Sequence, residues 1–266
     1  MWRSCLLINV GDNPDRPRPG RLWLRNLYHV HQRLCMAFPS DPRRERDPDF
    51  LAPYTPGDFG EGHVHVKRKE GAGFLFRIDP SILGRAIILV QSAVKPDWDY
   101  AFQNAGHLLA APAEVKLFDT QFATGQRLRF RLAANPTRRL SKHSRERDGK
   151  AVAEKWVGKR VPVPYDQLVD WLAEWRAHPD EPPGFRIDKD STTIHGGYIY
   201  LNKGANGSGN RLRSVRFDGV LEVTDPERFR ATLFHGIGPG KAFGFGLLSV
   251  APCPAPLAGE ARQEPS

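Results

Sequence analysis

Apolar and polar positions change period several times along the chain, and the changes mark out its elements. Ser4-Cys5-Leu6-Leu7-Ile8-Asn9-Val10 is strand-like and gives way to the turn residues Gly11-Asp12-Asn13-Pro14 and a Pro- and Arg-rich turn ending near Gly20. The period then becomes helical: after Asn26, a fitting N-cap, the residues Leu27, Val30, Leu34, Cys35 and Phe38 form one apolar stripe before Pro39 stops the helix. Residues 40–72 are polar, proline-containing and aperiodic, and read as a long loop or insertion. Strand-like runs return at 74–78, 86–90 and 128–132. This order of strand, helix and further strands predicts an α+β layer with an antiparallel sheet, ending near Asn135-Pro136.

The second half repeats the alternation. A helix is expected from about Tyr165 to Ala177, with Leu168, Trp171, Leu172 and Trp175 on one face. Gly184-Phe185-Arg186-Ile187 follows, strands at 197–201 and 214–223 flank a glycine-rich tip at 202–210, and a helix from Asp225 to Leu233 comes next. Two stacked α+β units result: an N-terminal domain over 1–136, a basic connecting segment over 137–160, a C-terminal domain over 161–253, and a frayed tail over 254–266.

Composition narrows the possible partners. A net charge of +9 and a pI near 9.7 favour a polyanion. The basic residues fall largely in segments rich in Gly, Asn and Ser, not on an amphipathic helix of the kind that lies on a membrane, so nucleic acid is the expected partner and no membrane is. No apolar run approaches the ~20 residues of a spanning helix. The opening strand lacks the basic n-region of a signal peptide, which predicts a cytoplasmic protein. Cys5, Cys35 and Cys253 form no Cys-x-x-Cys pair and read as reduced, packed thiols.

Tyr28 and His31 lie three apart on the first predicted helix and are neighbours on its surface. At roughly 100° per residue from Leu27, His31 falls at about 40° and Tyr28 at about 100°, on the rim of the apolar stripe, whereas His29 points away at about 200°. Both lie in the first turns, where free N–H groups and the helix dipole attract phosphate. RNA carries its own nucleophile, the 2′-hydroxyl, so a group that titrates near neutrality and a hydroxyl donor are enough to cut it without metal. A Tyr and a His at a core rim serve equally well as structure.

The run from Gly236 to Ser249 is the most unusual segment. Gly236, Gly238, Gly240, Gly244 and Gly246 let backbone approach a ligand, and Lys241 among them can contact phosphate, though a bulged hairpin would use the same glycines. Lys241 is followed by Ala242 where a P-loop needs Ser or Thr, and the Gly-x-Gly-x-x-Gly spacing is not met. Two basic segments add candidate RNA contacts. The stretch 137–160 holds Arg138, Arg139, Lys142, Lys159 and Arg160, with Trp156 and His143 as stacking surfaces, and the hairpin 200–213 holds Lys203, Arg211 and Arg213. The rival chemistry is a metal at His29-Val30-His31 or His63-Val64-His65. Neither pair has a His-Glu-x-x-His or Cys-pair companion, so no metal and no cofactor is expected.

With these residues in view, the chain resembles the CasE family of CRISPR repeat endoribonucleases. The resemblance rests on the opening strand, Tyr28-His29-Val30-His31-Gln32-Arg33-Leu34 leading to Phe38-Pro39, and Leu89-Val90-Gln91-Ser92. It continues through 128–136, Phe217-Asp218-Gly219-Val220-Leu221, and the glycine-rich run through Pro252. It implies tandem ferredoxin-like domains, cleavage of precursor CRISPR RNA at the base of the repeat stem-loop with cyclic-phosphate-type ends, Tyr28 and His31 as the catalytic pair, and retention of the RNA within the Cascade complex. The alternative is a scaffold subunit of the same architecture that binds this RNA without cutting it.

Overall fold

A computed structural model describes residues 1–13, 15–16, 18–48, 73–80, 85–144, 153–175, 181–201 and 210–253. The first sheet contains β1 (Trp2–Asn9), β2 (Phe74–Asp79), β3 (Arg85–Ser92) and β4 (Glu114–Leu117) in the order β2-β3-β1-β4, with every pairing antiparallel. The alternation in β1 and β3 sends Leu6, Ile8, Ile88 and Val90 to one face. Among the described residues, the helices α1 (Pro19–Leu24), α2 (Leu27–Cys35) and α3 (Asp41–Arg46) precede β2, and α4 (Trp98–Phe102) follows β3. Val30 and Leu34 of α2 and Trp98 and Phe102 of α4 pack on that apolar face.

The second sheet contains β5 (Arg127–Ala134), β8 (Phe185–Ile187), β10 (Asn210–Val223) and β11 (Leu248–Pro252) in the order β11-β5-β10-β8. Counted within each half, both sheets run fourth, first, third, second, which is the ferredoxin-like arrangement; the tandem architecture therefore holds. The helices α5 (Leu168–Ala173) and α6 (Pro226–His235) cover Phe130, Leu132, Phe217 and Leu221. The edge beside β10 is shared: β8 pairs with its last residues, and β9 (Thr193–Leu201) pairs with 210–218. Since β5 begins pairing with β10 only at Val215, the far ends of β9 and β10 extend past the sheet as a two-stranded arm.

Several sequence expectations are corrected. The strand 128–132 was assigned to the first unit, but β5 pairs with β10 and β11 and belongs to the second sheet. The stretch 137–160 therefore does not connect the sheets: its ends, β6 (Thr137–Arg139) and β7 (Arg160–Pro162), pair with each other as a hairpin rising from β5. The first catalytic-helix candidate ends at Cys35, and residues 36–38 continue as tight turns before Pro39. Ser40 caps α3 through its side chain, where a loop was expected. Arg43 of α3 is fully buried, with Nη2 2.6 Å from Asp47 Oδ2. The helix expected from Tyr165 to Ala177 is a 3₁₀ turn (Tyr165–Gln167) followed by α5, while Asp225 caps α6 as its sequence suggested. The pair His63 and His65, the tip 202–209 and the tail 254–266 lie outside the described residues.

The two sheets are bound to each other by polar contacts. Arg77 of β2, paired with Asp79 at 2.8 Å, donates from Nη1 to the Arg131 carbonyl at 3.2 Å and to Ser249 Oγ at 2.9 Å. Gln91 Nε2 of β3 donates to the Leu233 carbonyl of α6 at 2.6 Å. Among the described residues no helix is long and apolar enough to cross a membrane.

Candidate active site and nucleic-acid interface

Both candidate catalytic side chains stand on α2. Asn26 caps the helix, its Oδ1 accepting from the N–H groups of Tyr28 at 3.2 Å and His29 at 3.4 Å. This corrects one expectation: those two N–H groups are occupied by the cap, so this helix start offers less to phosphate than a bare one. Tyr28 is 52% exposed, with its ring tilted beside that of His29. His31 is half-buried, one turn further on. Its ring stacks on Phe74 at 5.5 Å and Phe76 at 6.3 Å between centroids, and its Nε2 lies 3.6 Å from Cys35 Sγ, one more turn along. The imidazole is thus held from below by two phenyl rings of β2 and from the side by its own helix. His29 is exposed and diverges from it, so the His-x-His pair does not converge on a common point.

The glycine-rich run brings the far end of the chain to this helix. Its 3₁₀ turn, Lys241–Phe243, packs against both α2 and β2. All five glycines named from the sequence have positive φ. At Gly236 (φ 72°) a Cβ would stand 2.7 Å from the Gly246 carbonyl oxygen and from a Leu75 methyl, so only glycine fits. The loop is closed by Ile237 N–H donating to the Gly246 carbonyl at 2.9 Å and tied to β5 by Gly246 N–H donating to the Ala133 carbonyl at 2.8 Å. The glycines therefore serve reversal and close packing, the bland reading of the motif, and in doing so they set Lys241 beside the catalytic-helix candidate.

Of the basic candidates, Lys241 and Arg160 border one cleft of about 710 Å³, with Gly236 and Gly238 in its wall. Arg160 Nη1 donates to Thr137 Oγ1 at 3.1 Å. Arg138, Arg139, Lys142 and Lys159 are exposed on the 137–160 hairpin, where Arg139 donates to the Gly158 carbonyl and Lys159 lies 4.5 Å from the centre of the Trp156 ring. Arg211 and Arg213 are on the arm, and Lys203 lies outside the described residues. Arg213 donates to the Val163 carbonyl and so fixes the arm's root, whereas Arg211 lies over Tyr198, its guanidinium carbon 4.2 Å from the ring centre.

Sequence reasoning found Trp156 but missed the aromatic companions of Arg211 and Lys241. Tyr198 and Tyr200 alternate onto one face of β9 and are 53% and 64% exposed; two exposed tyrosines at a spacing of two were the available signal. Trp171 and Trp175, read as core residues of a helix, also line the Lys241 cleft. Cys35, four residues after His31, was assigned only to the apolar stripe.

The chain is similar to known CRISPR-associated proteins. A family model described as CRISPR associated protein matches residues 1–252. The chain is 37% identical over 259 residues to the CRISPR-associated endoribonuclease Cse3 of Thermus thermophilus, covering 95% of this chain and 100% of that protein. It is 28% identical over 236 residues to the Cascade subunit CasE of Escherichia coli K12, covering 87% and 95%. Among solved structures, Cse3 bound to a 19-nucleotide RNA superposes with a TM-score of 0.63 at 31% identity over 95% of this chain and all of that one. A Thermus thermophilus Cse3 complex with an RNA representing a pre-cleavage state gives 0.62 at 31% identity over 94% and 98%. The match to the family model and to these relatives runs through both sheets, α2 and the glycine-rich run, and the chain belongs to the CasE family of CRISPR-associated endoribonucleases.

Proposed function

We propose that this chain is an endoribonuclease that cuts precursor CRISPR RNA at the base of the repeat stem-loop and remains on the product as a subunit of a cytoplasmic Cascade complex. The carrying observation is the juxtaposition of Tyr28 and His31 on α2 with the Lys241 turn packed against the same helix. In the reaction the substrate's 2′-oxygen attacks the adjacent phosphorus, the bond to the 5′-oxygen breaks, and a 2′,3′-cyclic phosphate and a 5′-hydroxyl result. One proton must leave the 2′-hydroxyl and one must reach the departing oxygen. An imidazole can do either near neutral pH, and a phenol is a donor, so Tyr28 and His31 between them cover both transfers. Lys241, on the turn packed against α2, supplies the charge that offsets the phosphoryl oxygens in this reading. No step requires a metal or a cofactor.

The arm and the 137–160 hairpin supply affinity. An A-form stem has a major groove too narrow for ordinary side-chain readout, so recognition rests on shape, backbone charge and a basic element inserted near the end of the stem, and the arm has the reach for this. The contact of His31 with Phe74, Phe76 and Cys35 is also what a structural histidine would make, which favours the second reading, a scaffold that binds without cutting. Purified protein incubated with its host's repeat RNA in EDTA decides between them. A single cut, blocked by one 2′-deoxy nucleotide at that position, is the expected result. Binding without cutting supports the scaffold, and cleavage that EDTA stops and zinc or magnesium restores overturns the metal-free mechanism.

A further inference from the structure

The cleft beside Lys241 carries chemistry that proton transfer on α2 does not use. Its floor is Trp171, whose ring is stacked on Phe217 at 6.0 Å and whose far edge lies under Gly238, 3.4 Å from where a Cβ would stand. Gly238, at φ 76°, supplies the backbone turn beside the indole. Trp175, just beyond α5 and partly buried against the second core, forms an adjoining wall. Cations and carboxylates take different elements of the rim. Lys241 comes from the glycine-rich turn and Arg160 from β7, whereas Glu174 follows α5 and Glu181 precedes β8. A cleft meant only to hold duplex backbone has no use for two exposed carboxylates, because each repels phosphate. A single nucleotide uses all three kinds of group. Its phosphate suits the cations, its base stacks on an indole, and an exocyclic amino group on the base edge can donate to a carboxylate.

We infer that this cleft is a subsite for one unpaired nucleotide of the RNA strand next to the scissile phosphate, with its phosphate toward Lys241 and Arg160, its base against Trp175, and a preference for bases that carry an exocyclic amino group. The inference deepens the endoribonuclease reading and rests on it for the identity of the strand. The position fits: the Lys241 turn touches α2 on one side and borders the cleft on the other, so a strand leaving the catalytic helix reaches the tryptophans across one loop. The cleft volume of about 710 Å³ accommodates a nucleotide and its ordered water.

The test uses the full chain and two repeat RNAs. One ends at the base of the stem and so has no bond to cut, and the other keeps the unpaired nucleotides on both sides and carries a 2′-deoxy nucleotide at the cut site, so that binding is measured without cleavage. The wild-type protein should bind the longer RNA about tenfold more tightly, and Trp175→Ala should abolish that increment while leaving the blunt stem-loop unaffected. Trp175→Phe, which keeps an aromatic face, should retain most of it and controls for damage to the fold. With Glu174→Gln and Glu181→Gln combined, the preference for adenosine or cytidine over uridine at the sensitive position should shrink. A wild-type protein with no increment, or a Trp175→Ala loss that is equal for both RNAs while Trp175→Phe is fully active in binding, overturns the subsite. An increment that depends on Trp175 in a protein that does not cut the longer RNA's all-ribose counterpart supports the subsite and defeats the endoribonuclease reading alone.

Discussion

His31 is the residue to which the proposed mechanism gives proton transfer, and its surroundings make a sharp comparison possible. It is half-buried against Phe74 and Phe76, while His29, two residues earlier, is exposed. His31→Ala should slow cleavage by about 10²–10⁴-fold with little change in RNA affinity, because proton transfer is lost while the arm and hairpin still bind. His29→Ala should be mild. Single-turnover cleavage and a filter-binding titration of the same variants check both, and equal damage from the two would remove the helical-face argument. At this scale the sequence was informative where periodicity reports direction: counting around the helix separated His31 from His29. It was silent on Phe74 and Phe76, because their contact with His31 spans more than forty residues of chain. It also could not show that Asn26 occupies the N–H groups of Tyr28 and His29, since a capping residue both predicts a helix start and uses up its donors.

Among the elements, α2 and the arm offer separable tests. Asn26→Ala removes the cap and should cost about 1 kcal/mol, a fall of about 2–4 °C in Tm for a chain of this size. Because the loosened turn carries Tyr28, cleavage should fall more than binding. On the arm, Arg211 and Arg213 have different tasks. Arg213 is engaged with the Val163 carbonyl, whereas Arg211 lies over an exposed tyrosine. Arg211→Ala should therefore lower the slope of log affinity against log salt by nearly one unit and weaken all RNA hairpins alike. Adding Lys203→Ala and Arg213→Ala should lower it further. Unchanged salt dependence in the triple variant would shift the role to the 137–160 hairpin. Helix α3 shows why a polar element escapes pattern reading: Asp41–Arg46 has no apolar stripe, and its inward residue is Arg43, neutralised by Asp47. The Ser40 cap followed by Asp41-Pro42 was the legible sign of it.

For the molecule as a whole, the decisive question is how two ferredoxin-like units become one site. Arg77 joins them, ion-paired within the first sheet and hydrogen-bonded to β5 and β11 of the second. Arg77→Ala leaves Asp79 largely buried without that partner and should destabilise the protein by about 3 kcal/mol. Calorimetry should show the single transition broadening or splitting as the halves uncouple, and an unchanged sharp transition would deny Arg77 this role. The alternation in 128–132 correctly gave a strand, yet it carries no information about which strands flank it. That is why the unit boundary was placed after β5 instead of before it. The overall order was legible because each half repeats strand, helix, strand, strand, helix, strand, while the arm's reach was not, because strand length beyond a sheet leaves no apolar signature. The seating of the 236–246 loop on α2 and β2 also bears on the order of events during synthesis. Tyr28 and His31 leave the ribosome some two hundred residues before the turn that flanks them. A nascent chain halted anywhere before Gly236 carries the proposed catalytic pair but not the turn packed against their helix, so nuclease activity should switch on late and abruptly, after the polypeptide has largely cleared the messenger that encodes it.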